Sequence, residues 1–126
     1  MVVEGIAAAA DAIYLSVKQD GVNKVMRLSG EGDVTRLKTP RDGAAYISSV
    51  SPQVPGVLVY ESTWIQGGIR YVYDPFKDSF TDTGMVPKGK FDDLEGYVAE
   101  EVLVTSHDGV KVPVSILRRA DLVLDG

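Results

Sequence analysis

The sequence predicts an all-β protein built from short antiparallel strands, and three observations support this prediction. Short apolar runs alternate with clusters of turn residues along the chain. These runs are rich in β-branched and aromatic residues, which favour strands over helices. No long stretch of the sequence shows the 3.6-residue periodicity of an amphipathic helix. The pattern is typical of an all-β sandwich or propeller.

Length and composition exclude several classes of protein. The chain has 126 residues, a net charge of −5 and no cysteine. Its length suits one domain, and its acidic balance argues against a nucleic-acid surface. Without cysteine there are no disulfides, no thiolate nucleophile and no cysteine-ligated zinc. No apolar run reaches the roughly 18 residues of a membrane helix, and we expect no membrane partner. Residues 1–5 lack the basic start of a secretory signal, which predicts a cytoplasmic protein, or a periplasmic one if a signal precedes them.

The first part of the chain predicts one antiparallel sheet. The predicted strands are residues 12–18, 24–28 and 34–37. Asp20-Gly21 suits the hairpin turn between the first two strands, because Gly and Asp tolerate positive φ angles. Ile13, Leu15 and Val17 alternate along the first strand and are expected to form its buried face. Residues 4–11, with four consecutive alanines, form either a loop or a strand in this interpretation, because a helix of this length is marginal.

A second sheet is predicted after the break at residues 39–43. Its strands are residues 45–50, 57–62, 69–73 and 79–82. Pro52 and Pro55 interrupt pairing between the first two of these strands, because proline has no N–H to donate. Asp74-Pro75 ends the third strand. The two sheets together form one predicted unit over residues 1–84.

A polar connector over residues 85–96 precedes a terminal hairpin. Its arms are residues 99–105 and 110–118, and hairpin and tail together span residues 97–126. Pro113 in the second arm predicts an edge strand or a bulge. Five β-branched residues are expected to form one apolar face: Val102, Val104, Val112, Val114 and Ile116. A two-stranded hairpin is marginal in water, so the isolated chain is expected to self-associate or to pack loosely, with this face as the main cause.

Three motifs suggest chemistry, but each has a simpler structural interpretation. The stretch Gly84 to Lys90 has the spacing of a phosphate-binding loop, yet Phe91 follows where magnesium binding needs Ser or Thr. Gly30-Glu31-Gly32 begins like a dinucleotide loop but lacks the third glycine. His107 and Asp108 form the one candidate acid–base pair, and adjacent turn residues generally diverge. We therefore interpret the first motif as part of the connector and the other two as turns.

Acidic pairs and aromatic residues give no stronger signal. The acidic pairs are Asp92/Asp93, Glu100/Glu101 and Asp78/Asp82, and the aromatic group is Tyr60, Trp64, Tyr71, Tyr73, Phe76 and Phe80. Glycosidase chemistry needs two carboxyls facing each other across a cleft, whereas acids in polar loops are usually solvated. Cross-strand aromatic packing is the commoner role of such aromatic residues. No serine lies in a Gly-x-Ser-x-Gly elbow. We predict no catalytic residue, no cofactor-binding residue, no metal ligand and no cofactor.

Two segments resemble the prolyl oligopeptidase family of serine peptidases. The stretch from Tyr60 to Trp64, followed by Arg70-Tyr71-Val72-Tyr73-Asp74, is similar to that family's last propeller blade. Residues 100–117, with the turn Ser106-His107-Asp108-Gly109 and the return Lys111-Val112-Pro113, resemble the hairpin that opens its α/β-hydrolase domain. Leu124-Asp125-Gly126 resembles the segment just before the first central strand of that domain.

The resemblance implies an internal piece of a larger peptidase, in which two consecutive propeller-type blades precede the terminal hairpin. An ordinary β-sandwich is the alternative fold. In the family the catalytic Ser, Asp and His lie downstream of the last residue here, so the chain is expected to be inactive alone. The implied role is that of a propeller segment that restricts access to short peptide substrates. The implied partner is the remainder of the peptidase chain. The alternative is a free-standing β interaction module without activity, and the reading frame downstream of residue 126 distinguishes the two hypotheses.

Overall fold

The structure, a computed structural model, describes residues 1–123, which contain ten β-strands and no helix. The first sheet comprises β1 (Val2–Ala8), β2 (Ile13–Gln19), β3 (Val22–Leu28) and β4 (Val34–Arg36). The second sheet comprises β5 (Ala44–Ser49), β6 (Val57–Ser62), β7 (Ile69–Asp74) and β8 (Ser79–Asp82). The terminal hairpin comprises β9 (Tyr97–Thr105) and β10 (Lys111–Arg119). The all-β prediction is confirmed, while Leu124-Asp125-Gly126 lies outside the described residues.

Each four-stranded sheet is an antiparallel meander whose strand order in space follows the order in the chain. This topology results from the short turns, since two consecutive strands joined by a tight turn must pair antiparallel. The predicted strands agree with the observed ones to within about two residues at most ends. The alanine-rich segment, left open between loop and strand, forms the edge strand β1. Within the part of the chain that the structure describes, no helix is long and apolar enough to cross a membrane.

The core lies between the two sheets. It combines Tyr14, Val25 and Leu37 of the first sheet and its following loop with four residues of the second. Those four are Ala45, Val57, Val59 and Tyr73. In β6 and β7 every second residue is buried, so one face of these two central strands is covered, and its Val57, Val59 and Tyr73 pack on the first sheet. Tyr14 and Tyr73 meet edge to face across the core, with ring centroids 6.4 Å apart.

The predicted buried face of β2 is wrong in part. Val17 is fully buried as expected, but Ile13 is 38% exposed and Leu15 is only half-buried. Tyr14, on the opposite face, is the residue that joins the core. Both faces of β2 carry apolar residues, and alternation alone does not say which face meets another sheet. The large ring of Tyr14 gains more from burial, and its hydroxyl has an acceptor at Asp11.

The terminal hairpin keeps a regular register along its whole length. Pro113 pairs with Leu103, and no bulge interrupts the two strands, so the edge-strand interpretation of Pro113 is confirmed and the bulge is not observed. Val104 pairs with Val112, and Val102 pairs with Val114, which places them on one face together with Ile116. The predicted apolar face is therefore confirmed, and its five side chains are 38–47% exposed.

Candidate functional site

A groove of about 1000 Å³ separates the terminal hairpin from one end of the two sheets. The loops β2–β3, β4–β5 and β6–β7 form one wall, and the opposite wall includes Ala99, Glu101, Pro113 and Ser115 of the hairpin. These hairpin residues alternate with the five apolar ones, so the groove and the exposed apolar face lie on opposite sides of the hairpin. The groove is lined by residues from both sheets and from the terminal hairpin.

Charged and aromatic side chains line this groove. Arg36 and Lys24 both contact the carboxylate of Asp42, and the Lys24 contact measures 3.5 Å. Trp64 is 64% exposed at the same wall, and Tyr46 is 41% exposed. The ion pairs lie at the surface, where each contributes little to stability.

A buried carboxylate holds the β4–β5 loop at the wall of the groove. Glu61 in β6 is fully buried. It accepts a hydrogen bond from the hydroxyl of Thr39, one from the N–H of Arg41 at 3.2 Å and one from the N–H of Gly43 at 2.9 Å. A buried charge is tolerated only when several donors replace the water it has lost. Glu61 therefore fixes the loop that carries Arg41 and Asp42.

The same loop is linked to the connector that leads into the hairpin. The guanidinium of Arg41 donates to the carbonyl of Gly67 at 2.6 Å. The N–H of Gly67 in turn donates to the carbonyl of Asp92, and the N–H of Leu94 donates to the carbonyl of Ile65 at 2.8 Å. These bonds tie residues 92–94 of the connector to the β6–β7 loop. The position of the hairpin over the groove thus depends on backbone contacts of the second sheet.

A second buried carboxylate joins the two sheets at their other end. Asp11, whose side chain is 8% exposed, pairs with Arg27 at 3.0 Å. It also accepts hydrogen bonds from the hydroxyl of Tyr14 at 3.0 Å and from the N–H of Gly56 at 2.7 Å. Burial acts to raise the pKa of Asp11, but the bonds from Gly56, Arg27 and Tyr14 outweigh it and lower that pKa below its usual 3.8. Burial and the bond to Asp11 raise the pKa of Tyr14.

The lowered pKa of Asp11 predicts a stability that falls in acid. A carboxylate whose pKa is lower in the folded state stabilises the fold above its unfolded pKa, and this contribution disappears as the pH falls through the folded pKa. We expect Asp11→Asn to lower the free energy of unfolding near pH 7 by about 1–3 kcal/mol. The difference from wild type is expected to shrink below about pH 4. Urea unfolding at several pH values measures both effects, and a pH-independent difference would contradict the assignment.

His107 lies at the exposed tip of the terminal hairpin. Its Nδ1 is 3.3 Å from the hydroxyl of the neighbouring Ser106, which is a serine–imidazole contact. Asp108 does not orient the ring, because its carboxylate accepts a hydrogen bond from the N–H of Val110 at 3.1 Å. The turn is closed by a further bond from the N–H of Ser106 to the carbonyl of Val110 at 2.8 Å. The turn interpretation of His107 and Asp108 therefore agrees with the structure.

The acidic pairs do not face one another. Glu100 and Glu101 are neighbours in β9 and lie on opposite faces, where Glu100 pairs with Arg118 at 2.5 Å. Asp78 accepts from the hydroxyl of Tyr73, and Asp82 accepts from the N–H of Gly84. Asp92 accepts from the N–H of Gly89. Residues 1–123 hold no group of three or more acidic, His or Cys side chains suited to a metal ion.

The glycine motifs and the aromatic residues also have structural roles. Residues 84–90 belong to the connector, and no helix follows them in the described chain. Gly32 has a φ of +95° in the β3–β4 turn. Tyr71, Tyr73 and Phe80 pack on one another, with Tyr73 and Phe80 centroids 5.0 Å apart, which confirms the cross-strand interpretation for these three. Trp64 and Phe76, by contrast, are 64% and 81% exposed.

Sequence reasoning missed the two carboxylates that organise this region. A signal existed for Glu61, since it follows Val57 and Val59 at the alternating spacing that predicts a buried face. An acidic residue in such a position has to find donors in a loop that packs over it. No comparable signal existed for Asp11, whose partners Arg27 and Gly56 are distant in the sequence.

Comparison with solved structures identifies the fold. Oligopeptidase B from Leishmania major matches 98% of this chain with a TM-score of 0.76 and 15% identity. Oligopeptidase B from Trypanosoma brucei, with covalently bound antipain, matches 98% with a TM-score of 0.75 and 19% identity. A post-proline cleaving enzyme from Rickettsia typhi matches 99% with a TM-score of 0.66 and 24% identity. The chain spans only 18–19% of the length of these structures. No protein-family model and no curated protein matches the sequence.

These likenesses show which fold the chain has. Its all-β, antiparallel architecture is that of a partial propeller, as in the propeller region of prolyl oligopeptidase-type structures. The two sheets are successive blades of an unclosed propeller, and the sandwich alternative is wrong. One match covers both sheets and the hairpin together. The solved structures therefore contain the same units as this chain.

Proposed function

We propose that the chain is a non-catalytic segment of a prolyl-oligopeptidase-like serine peptidase. In this proposal residues 1–84 form two propeller blades, residues 85–96 connect them to the next unit, and residues 97–126 open a hydrolase domain. The propeller would restrict access to the active site, so that the whole enzyme hydrolyses short peptides. The partner of this segment would be the remainder of the peptidase chain, in the cytoplasm.

The observation that carries the proposal is the match of 98% of this chain, with both sheets and the hairpin, to oligopeptidase B structures. The hairpin adds support, because its valine face is exposed while its other face lines the groove. An exposed flat apolar face of this kind marks a contact with another polypeptide surface. The groove contributes too, since it lies between the blades and the hairpin, where the next domain would begin.

We expect the isolated chain to be inactive toward peptides and unreactive toward a fluorophosphonate probe. Acyl transfer by serine requires an oriented base and donors for the oxyanion. The contact between Ser106 and His107 supplies an exposed imidazole without a carboxylate behind it. Mass spectrometry after probe treatment measures labelling, with His107→Ala as the matched control. Stoichiometric serine labelling that His107→Ala abolishes would contradict the proposal.

The decisive experiment is to read the DNA downstream of codon 126. The proposal expects a continuous frame that encodes Gly-Tyr-Gly-Gly and, later, a Gly-x-Ser-x-Gly elbow. The encoded longer protein should hydrolyse short peptides, and Val104→Asp in its hairpin should impair that activity by disturbing the contact with the hydrolase domain. A stop codon directly after Gly126 would overturn the proposal and favour a free-standing interaction module.

A further inference from the structure

The first sheet has an open apolar face, here called the first open face. Leu15 pairs with Ile6 on one side and with Met26 on the other, and Met26 pairs with Arg36, which ends this row in the outer strand β4. The next row is Ala8, Ile13, Leu28 and Val34. These two rows point away from the core, which uses Tyr14 and Val25 of the opposite side, whereas Val17 in the next row along β2 is fully buried. Ile6 is 71% exposed and Val34 is 55% exposed.

The register makes this face equivalent to the buried face of the second sheet. When β2 and β6 are aligned at their first residues, Ile13 corresponds to Val57 and Leu15 to Val59. Their cross-strand partners then correspond as well. Leu15 pairs with Ile6 and Met26, and at the equivalent positions Val59 pairs with Ile47 and Tyr71. In the second sheet this face packs against a four-stranded sheet. The first open face thus has the place and the apolar character of a face that binds a sheet.

The second sheet has an open face of a different kind, here called the second open face. It includes Leu58, paired with Val72, and Tyr60, paired with Arg70. The same alignment makes these pairs equivalent to Tyr14 with Arg27 and to Ser16 with Val25, on the face of the first sheet that meets the core. Each of the two faces thus presents a tyrosine, an arginine and a valine within its two central strands.

Each open face is therefore equivalent to one side of the interface between the two sheets, and neither open face has a partner sheet within the described residues. That interface joins a mixed face with tyrosine and arginine, on the first sheet, to an apolar face, on the second. The second open face is the mixed kind, with tyrosine and arginine. The first open face is the apolar kind. We infer that copies of the isolated chain associate head to tail, with the second open face of one copy on the first open face of the next.

Charge favours this arrangement over stacking of two second open faces. Arg70 lies in the middle of the second open face, and a face-to-face pair of such sheets would bring two arginines together. Head-to-tail contact avoids this repulsion and places Arg70 over the apolar rows, whereas Arg27 in the existing interface is paired with Asp11. Such an interface is heterologous, so it continues to larger rings or chains and does not stop at a dimer. In a longer protein the neighbouring blades would occupy both faces, so the inference concerns the isolated 126-residue chain.

The test uses sedimentation velocity of the chain over a concentration series with two single-face variants. Ile6→Asp puts a charge on the first open face, and Val72→Asp, at a site 47% exposed, puts one on the second. Wild type should grow beyond dimer, and each variant alone should remain monomeric. An equal mixture of the two should give a heterodimer, because each variant retains the face that the other has lost. Near-ultraviolet circular dichroism tests whether both variants fold. If Ile6→Asp does not fold, Val34→Lys replaces it, and if Val72→Asp does not fold, Tyr46→Lys replaces it.

Each other outcome overturns the inference. If Val72→Asp alone still self-associates while Ile6→Asp does not, first open faces bind one another. If both variants self-associate and Val104→Asp abolishes association, the hairpin face drives it. A wild-type chain that stays monomeric at the highest concentration would show that the open faces bind no second copy. The proposed function is tested by probe labelling and by the downstream reading frame, and none of the sedimentation results bears on it. The two proposals can therefore be rejected independently.

Discussion

Replacement of Glu61 by alanine is expected to lower the free energy of unfolding by about 3–5 kcal/mol. The carboxylate is fully buried and accepts from the hydroxyl of Thr39 and from the N–H groups of Arg41 and Gly43. Alanine leaves these donors without their acceptor beneath the β4–β5 loop, and each unsatisfied donor costs about 1–3 kcal/mol. A loss of this size is a large share of the roughly 5–15 kcal/mol that holds a small domain together. Urea unfolding followed by circular dichroism measures it.

Two matched variants separate the carboxylate's role from general side-chain loss. Glu61→Gln keeps the volume and one acceptor oxygen, and should cost less than alanine, about 1–3 kcal/mol. Glu101→Ala removes an exposed glutamate of the hairpin and should change stability by less than about 0.5 kcal/mol. If Glu61→Ala were as mild as Glu101→Ala, the carboxylate would not be the anchor of the β4–β5 loop.

Gly56→Ala is expected to cost about 3–4 kcal/mol, for steric and conformational reasons together. Gly56 has a φ of +85°, and a Cβ there would lie 2.2 Å from the carbonyl oxygen of Tyr73. That oxygen belongs to β7, which cannot move without disturbing both neighbouring strands. The N–H of Gly56 also donates to Asp11 at 2.7 Å, so a shift of the loop would weaken the junction between the sheets.

Gly32→Ala is the control for the conformational part of this effect. Gly32 has a φ of +95°, but no heavy atom lies within 4 Å of a Cβ built there. Gly32→Ala should therefore lower the free energy of unfolding only through the strain of alanine in the left-handed conformation, by about 1–2 kcal/mol. Thermal unfolding of both variants gives the difference. Equal losses for Gly56→Ala and Gly32→Ala would mean that the contact with Tyr73 is relieved without cost.

The sequence alone was sufficient for the local structure. Turn residues such as Asp20-Gly21 and prolines such as Pro52 separate the runs, and β-branched residues favour strands within them, so β6 and β8 were predicted residue for residue. Strict alternation along Val102, Val104, Val112 and Val114 was enough to predict the apolar face of the hairpin. These features depend on backbone preferences and on the two-residue period of a strand, which act over short distances.

The tertiary structure decided which face of each sheet is covered and which charges are buried. Leu15 and Tyr14 are both suitable for burial, and only the position of the second sheet selects Tyr14. Glu61 and Asp11 each collect donors from residues far away in the sequence, such as Gly43 for Glu61 and Gly56 for Asp11. A buried carboxylate is stable only where the folded chain brings such donors together. Alternation along β6 indicates that Glu61 is buried, but the donors come from loops distant in the sequence, so no periodic pattern indicates which groups bind the carboxylate.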